Sequence, residues 1–468
     1  MTTDRIRMSP QRWILFLLLV PVMIFPAGCA GVPTQAELSK RKDLTRVAAR
    51  YRPGDARPEL PKLTEKSGID DYLRYAMFNN PKVEAAYYEW FASVERITVS
   101  RSLMDPRFTF SADITDILES VMAGLMVDLP GPGKLRIAGD VAAAESMVRY
   151  YDFELEVIRT AFAVKEAYYR LQYLEDALKV QRVSLRLLID LEETARYQNA
   201  VGRATLQDAL QAQIEQERLK TRIENMEDSR GTLAAELKAA LGMGKTDPDP
   251  PLPVKFIPSK NTTDPGMVLD IALRRNPAIR QMKAEVERAE SMLELAHKTG
   301  VPDLTLGLEA ELKNTPTMWT PSVGVTLPIW RDRIAAEIAG ARAGERAAQA
   351  RLSNEQVQLA AELAAMLYMY RESTRNMELF EDRLIPRGRQ SLEASRTGYA
   401  NGKSSFLEVI ESYRQILDFD LFLVEARTQR ELALASLSLL IADAPPQTSP
   451  IPVPEEHLNP ENQKEVSK

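Results

Sequence analysis

The sequence predicts a mostly helical protein with a small transmembrane β part, assembled from a duplicated unit. Three observations carry this. First, landmarks recur in the same order about 200 residues apart: Asn80-Pro81 returns as Asn276-Pro277, Leu129-Pro130 as Leu327-Pro328, and Tyr197 to Gly202 as Tyr399 to Gly402. Second, in each unit the hydrophobic period switches from helical to two and back again. Third, each alternating stretch is followed by proline-poor runs far longer than an ordinary helix. Strand pairs that lead into such helices read as a membrane barrel joined to a helical tube.

The elements follow in order. Arg5, Arg7 and Arg12 precede the apolar run Trp13 to Phe25, which is too short to span a bilayer and suits a signal-peptide core. The run ends at Ala27-Gly28-Cys29, the sole cysteine. A small-small-Cys ending resembles a bacterial lipobox, so Cys29 is expected to carry a covalent lipid and become the mature N-terminus, although Pro26 stands where Leu is usual. Ordinary cleavage with an incidental cysteine is the alternative. Ala30 after the cysteine favours outer-membrane sorting, and several acyl chains anchor stably where one binds marginally. The expected divisions are 1–28 signal peptide, 29–65 lipidated extended arm, 66–242 first repeat, 243–266 proline-rich linker or equatorial element, 267–443 second repeat and 444–468 polar tail.

Within the first repeat, Ile69 to Leu103 is helical, with Pro81 starting a new helix at its first turn. In Arg107 to Ile114 the residues Phe108, Phe110, Ala112 and Ile114 alternate with polar partners. In Val121 to Leu129 the apolar set is Val121, Ala123, Leu125, Val127 and Leu129. The second repeat offers Leu304, Leu306, Leu308 and Ala310, then Val323, Val325 and Leu327. These lengths fit tilted membrane strands. Alternation alone also fits soluble hairpins with one face on a core. Trp319, between Pro316 and Pro321, reads as either an interfacial aromatic or a buried loop anchor.

Prolines end both strand pairs, and the long runs follow. Lys134 to Val201 would reach about 100 Å as straight helix. Its return, Arg203 to Leu241, carries a heptad-like seam of Leu219, Ile223, Met226, Leu233, Leu237 and Ala240. The second repeat matches from Arg331 to Ala400, with a kink expected at Pro386, and from Lys403 to Ala442.

Several functions are excluded or disfavoured. A net charge of −6 argues against nucleic acid as a partner. His297 and His457 are far apart, and no metal cluster, phosphate loop or nucleophile motif is visible, so neither an enzyme nor a cofactor beyond the Cys29 lipid is expected. The 17 methionines are scattered and read as core filler before metal ligands.

The stretch Ser322 to Arg331 (SVGVTLPIWR) and the hairpin Gly398 to Glu411 (GYANGKSSFLEVIE), together with the duplication, resemble the outer-membrane factor, or TolC-like, family over residues 65 to 443. The resemblance implies a homotrimer in which each chain gives four strands to one barrel of about twelve. A long coiled-coil periplasmic tunnel would continue that barrel. It implies a lipid-anchored outer-membrane protein of a Gram-negative bacterium, serving as a passive exit duct for tripartite efflux or type I secretion. Its partners would be a periplasmic adaptor and an inner-membrane pump of RND or ABC type. By position, the adaptor would meet the hairpin tips, Val201, Gly202, Arg203 and Ala204 in the first repeat and Ala400, Asn401, Gly402, Lys403 and Ser404 in the second. A plain αα-turn with no partner needs the same glycines. Glu408 and Glu411, with Asp208 at the corresponding place of the first repeat, would line a periplasmic constriction, against the alternative of a solvated helix face. A periplasmic coiled-coil lipoprotein without a channel is the competing function.

Overall fold

A computed structural model describes residues 33–114, 118–251, 268–312 and 316–441. The signal segment, Cys29, most of the linker, His457 and the polar tail lie outside the described residues. The element order is α1 (Gln35–Tyr51), α2 (Ile69–Asn79), α3 (Pro81–Arg101), β1 (Arg107–Ile114), β2 (Leu118–Leu129), α4 (Lys134–Ala200) and α5 (Leu206–Leu241). The second repeat follows as α6 (Val268–Arg275), α7 (Pro277–His297), β3 (Leu304–Glu311), β4 (Met318–Val325), α8 (Arg331–Leu379), α9 (Ile385–Ala400) and α10 (Phe406–Leu440). Each repeat is therefore two helices, a strand pair and a long helical hairpin.

Three expectations need correction. The arm over 29–65 is not extended throughout, because 17 of its residues form α1. Pro53, Pro58 and Pro61 all lie beyond that helix, Thr34 caps it through the amide of Glu37, and Glu37 and Arg50 suit its dipole ends. β4 begins at Met318 and stops at Val325, so Trp319 and Pro321 are strand residues and Leu327 is not. Pro321 is tolerated because β4 is an edge strand of the sheet. The irregularity near Pro386 is a π-turn over Phe380–Leu384, where the Ile385 amide donates to the Phe380 carbonyl. Proline has no amide hydrogen to continue the α ladder, and the wider turn absorbs the mismatch.

Compactness divides the chain across the repeats rather than between them. One unit is built from the described parts of Met1–Thr45, Glu89–Tyr150 and Gln281–Leu352, the other from those of Arg46–Tyr88, Tyr151–Arg280 and Ser353–Lys468. Each takes segments from both repeats.

The first unit holds the sheet, in the order β1-β2-β3-β4 with every neighbour antiparallel. Where β2 gives way to α4, Gly131 lies so close to the Pro302 carbonyl and Val301 that a Cβ would clash. Its amide donates to Asp303, which also accepts from Lys134. Nearby, buried Trp90 meets Tyr150 edge-on at 5.0 Å. Arg288 of α7 pairs with Glu145 of α4 at 2.7 Å. Glu37 of α1, only 1% exposed, accepts from Arg101, from Thr98 at 2.7 Å and from Arg41 at 3.1 Å.

The second unit has a helical core. Leu219, Ile223 and Leu237 of the expected seam are buried, with Met226, Leu233 and Ala240 packed against them. The duplication is visible here at atomic detail. Asn80 donates to the Ala240 carbonyl at 2.9 Å while its own oxygen caps α3 through the Lys82 amide. Asn276 donates to the Leu440 carbonyl at 2.8 Å while capping α7 through the amides of Ala278 and Ile279. Each Asn-Pro pair thus satisfies orphan groups at a helix start and a helix end together.

Candidate functional site

The sheet sorts its side chains by face with few exceptions. Direct pairing puts Phe108 opposite Leu125, Leu125 opposite Leu308, and Leu308 opposite Pro321. The same face carries Phe110, Ala123, Val127, Leu304, Leu306, Ala310, Trp319, Val323 and Val325. The opposite face carries Arg107, Thr109, Asp128, Thr305, Glu309, Thr320 and Ser322. There Arg107 and Thr305 both donate to Asp128, at 2.6 and 2.8 Å.

Exposure decides between the two readings of these strands. In a soluble hairpin the apolar side would rest on a core. Here Phe108 is 71% exposed, Val323 70% and Trp319 63%. Along β3 the apolar residues Leu304, Leu306 and Leu308 are exposed, whereas the alternate Thr305, Gly307 and Glu309 are half-buried. A broad apolar face turned outward over a polar inner face is the pattern of a lipid-facing barrel wall. The position of Trp319 on the outward face also excludes a buried loop anchor. Among the described residues, nothing pairs with the outer edges of β1 and β4. No described helix is long and apolar enough to cross a membrane.

The helix tips are built alike. Gly202 and Gly402 adopt φ of 74° and 72°, the left-handed conformation that glycine takes at little cost. The Arg203 amide bonds the Gln198 carbonyl at 2.8 Å, and the Lys403 amide bonds the Gly398 carbonyl at 2.7 Å. Val201, Gly202, Arg203, Ala400, Asn401, Gly402 and Lys403 are exposed, and Ala204 and Ser404 are half-exposed.

The three acidic residues do not behave as one set. Asp208 accepts from its own N-cap Thr205 and from the Tyr399 hydroxyl, both at 2.9 Å. Tyr399 is 7% exposed; burial, then the neighbouring Asp208 carboxylate, holds its hydroxyl protonated well above the usual range. Glu408 turns back to its N-cap Ser405 at 3.0 Å. Glu411 lies on the exposed face of α10.

What the sequence did not show is that three polar links tie the first hairpin to the second near the tips. They are Asp208 with Tyr399, Gln198 with the Ala400 carbonyl at 3.1 Å, and Glu215 with Arg414 at 2.6 Å. Their partners are about 200 residues apart in sequence, and although Tyr399 and Ala400 lie in the recurring hairpin stretch, nothing in that stretch names what they bind. The conserved spacing of the repeats was the one available signal that these positions come together. A cavity of 550 Å³ elsewhere in this unit is lined by Lys82, Arg159 and Arg170 against Glu156, Glu166 and Glu236, whose charges compensate one another. The described residues contain no group of three His, Cys, Asp or Glu side chains placed to hold a metal.

Residues 268–443, the whole second repeat, match the family model described as outer membrane efflux protein. That part of the chain is similar to the outer membrane efflux proteins. No curated protein matches this chain by sequence. Its fold is similar to that of the outer-membrane channel OprN, with TM-score 0.72 and 15% identity over 88% of this chain and 96% of that one. VceC of Vibrio cholerae gives 0.68 and 16% over 80% and 95%. CmeC of Campylobacter jejuni gives 0.69 and 13% over 87% and 92%. At such identities the likeness is one of fold, and it extends over four fifths or more of this chain.

Proposed function

We propose that this chain is a passive efflux duct in the outer membrane, anchored by a lipid on Cys29 and working as a homotrimer. The supporting observation is the sheet: its apolar face is exposed and, among the described residues, both of its edges are unpaired. Backbone groups left open in lipid cost several kcal/mol each, so four strands require sister chains to close a wall. A spacer lipoprotein has no use for such a surface. The periplasmic end is gated by the tips. The links from Asp208, Gln198 and Glu215 hold the two hairpins together, and an adaptor that seats on 201–204 and 400–404 favours the parted state. Energy enters at an inner-membrane pump of RND or ABC type, in a tripartite efflux or type I secretion assembly. Glu411, joined by Glu408 once it leaves its cap, gives the entrance a ring of carboxylates in the trimer.

The test is reconstitution of full-length protein into planar bilayers, with oligomeric state measured in detergent. Trimers that conduct support the duct. A monomer that stays water-soluble after removal of the Cys29 lipid, and that carries no current, overturns it.

A further inference from the structure

The polar face of the sheet carries a residue type that a water-filled wall does not require. All three methionines of the described strands, Met122, Met126 and Met318, stand on it. None stands on the apolar face, where methionine would be ordinary filler. The register makes two of them neighbours of one acid. Met122 is directly opposite Glu311, and Glu311 is directly opposite Met318. One rung of the sheet therefore reads Ser111, Met122, Glu311, Met318 from β1 to β4. Side-chain contacts on adjoining rungs confirm that this face is shared. A Cβ at Gly124 would meet Thr109 Oγ1 at 2.6 Å and Glu309 Cγ at 2.7 Å, and one at Gly307 would meet Met126 Cγ at 3.5 Å.

The geometry suits a bound ion. Met122 and Met318 are two strand spacings apart, about 9.6 Å. A thioether sulfur lies two bonds beyond its Cβ, so two methionines leaning inward bring both sulfurs over the intervening Glu311. Two facing thioethers with a carboxylate between them form a ligand set for a soft monovalent cation. Sulfur selects Cu(I)-like ions, whereas Mg²⁺ and Ca²⁺ require oxygen ligands. The carboxylate balances the charge. Met318 is 54% exposed, so the rung is reachable, and it lies at the loop end of the sheet.

We infer that Met122, Glu311 and Met318 form a binding site for a soft monovalent cation of the Cu(I) or Ag(I) class. That such an ion passes this way as cargo rests on the exit-duct reading above.

The test uses full-length protein in detergent and chloride-free buffer, labelled with methyl-¹³C methionine and titrated with silver nitrate. The Met122 and Met318 methyl signals are expected to shift together and saturate at one Ag(I) per chain. Replacing both by leucine preserves volume and is expected to weaken this binding at least tenfold. E311Q is expected to weaken it less, and M126L to leave it unchanged. In bilayers, Ag(I) is expected to reduce the wild-type current and leave that of the double variant unaffected. The proposal is overturned if the two methyl signals stay fixed at saturating Ag(I), or if the double variant binds as tightly as wild type. Protein that conducts but fails these titrations sinks the cation site and leaves the duct standing. Protein that does not conduct sinks the duct, and the methyl shifts alone then decide the site.

Discussion

The two copies of the long outgoing helix begin differently. In the first copy, α4, residues Ile137, Ala143 and Val148 are buried, and Glu145 is paired with Arg288 of α7. In the second copy, the opening turns of α8 have a thin half-buried seam of Ile334, Ile338, Ala341 and Glu345 leading to buried Ala348. Most of the remaining surface there is exposed and small, with Ala335, Ala336, Ala339, Gly340, Ala343 and Gly344 among its residues. Among the described residues, the first copy is packed against neighbours within the chain, and most of the opening surface of the second is not. A duplicated unit that closes into a ring has this character, because one chain's second copy must meet the next chain's first.

The largest effect should come from covering that bare face. Neither Gly340 nor Gly344 has anything within 4 Å of an added Cβ. Gly340→Leu with Gly344→Leu should therefore leave the chain helical, and even favour helix by about 1 kcal/mol per site. Trimers and bilayer current should nevertheless disappear. Normal sedimentation as a trimer would show that α8 has no partner chain and would end the comparison.

Next comes the clasp beside the first copy. Burial alone raises the Glu37 pKa, but hydrogen bonds from Arg101, Thr98 and Arg41 outweigh it and bring the value down to about 2 from 4.5. An acid lowered on folding stabilises above its unfolded pKa and loses that contribution as pH falls through the folded one. Thermal stability should thus drop between about pH 4.5 and 2, by about 3 kcal/mol in all. Glu37→Gln should flatten this drop in a pH series of melting curves. It should also lower stability at neutral pH, because Arg101 loses its ion pair with Glu37, whereas Arg41 keeps Glu95 at 2.9 Å.

Farther along α4 the sign reverses. Glu154 is buried with Oε2 unpartnered, and burial, opposed by the charge of Arg280, raises its pKa to about 7. The folded state then holds a proton that the unfolded state has released, so stability should fall as pH rises from about 4.5 to 7. Glu154→Gln should remove that fall, leaving the variant the more stable at pH 8 by up to about 3 kcal/mol. Equal melting temperatures at pH 8 would contradict it.

The smallest expected effect lies where the two copies are tied at their tips. Tyr399→Phe deletes the donor to Asp208 and should cost about 1 kcal/mol. Single-channel records should show longer open periods, with no change in trimer content. Unchanged gating would mean that this link does not hold the hairpins together.

Much of this was legible in the sequence. The repeat, the strand pairs and the long helices are written as periodicity, which local physics converts directly into structure. β1 runs over the residues the alternation picked out, Arg107–Ile114. The misses have physical causes. Prolines elsewhere in the arm masked α1, and Pro321 masked the start of β4, because an edge strand tolerates what a central one does not. The ties at the tips and the rung of Met122, Glu311 and Met318 depend on register and on tertiary proximity, which no window of sequence encodes.

The unsatisfied rims of the four-stranded sheet have a consequence for the life of the newly made chain. In the proposed trimer, a polypeptide whose greasy wall and open backbone edges find their match in its siblings would have no resting state as a solitary molecule in water. Membrane insertion and association then become a single event. Correct assembly of such a duct should compete with aggregation for as long as those strands stay uncovered.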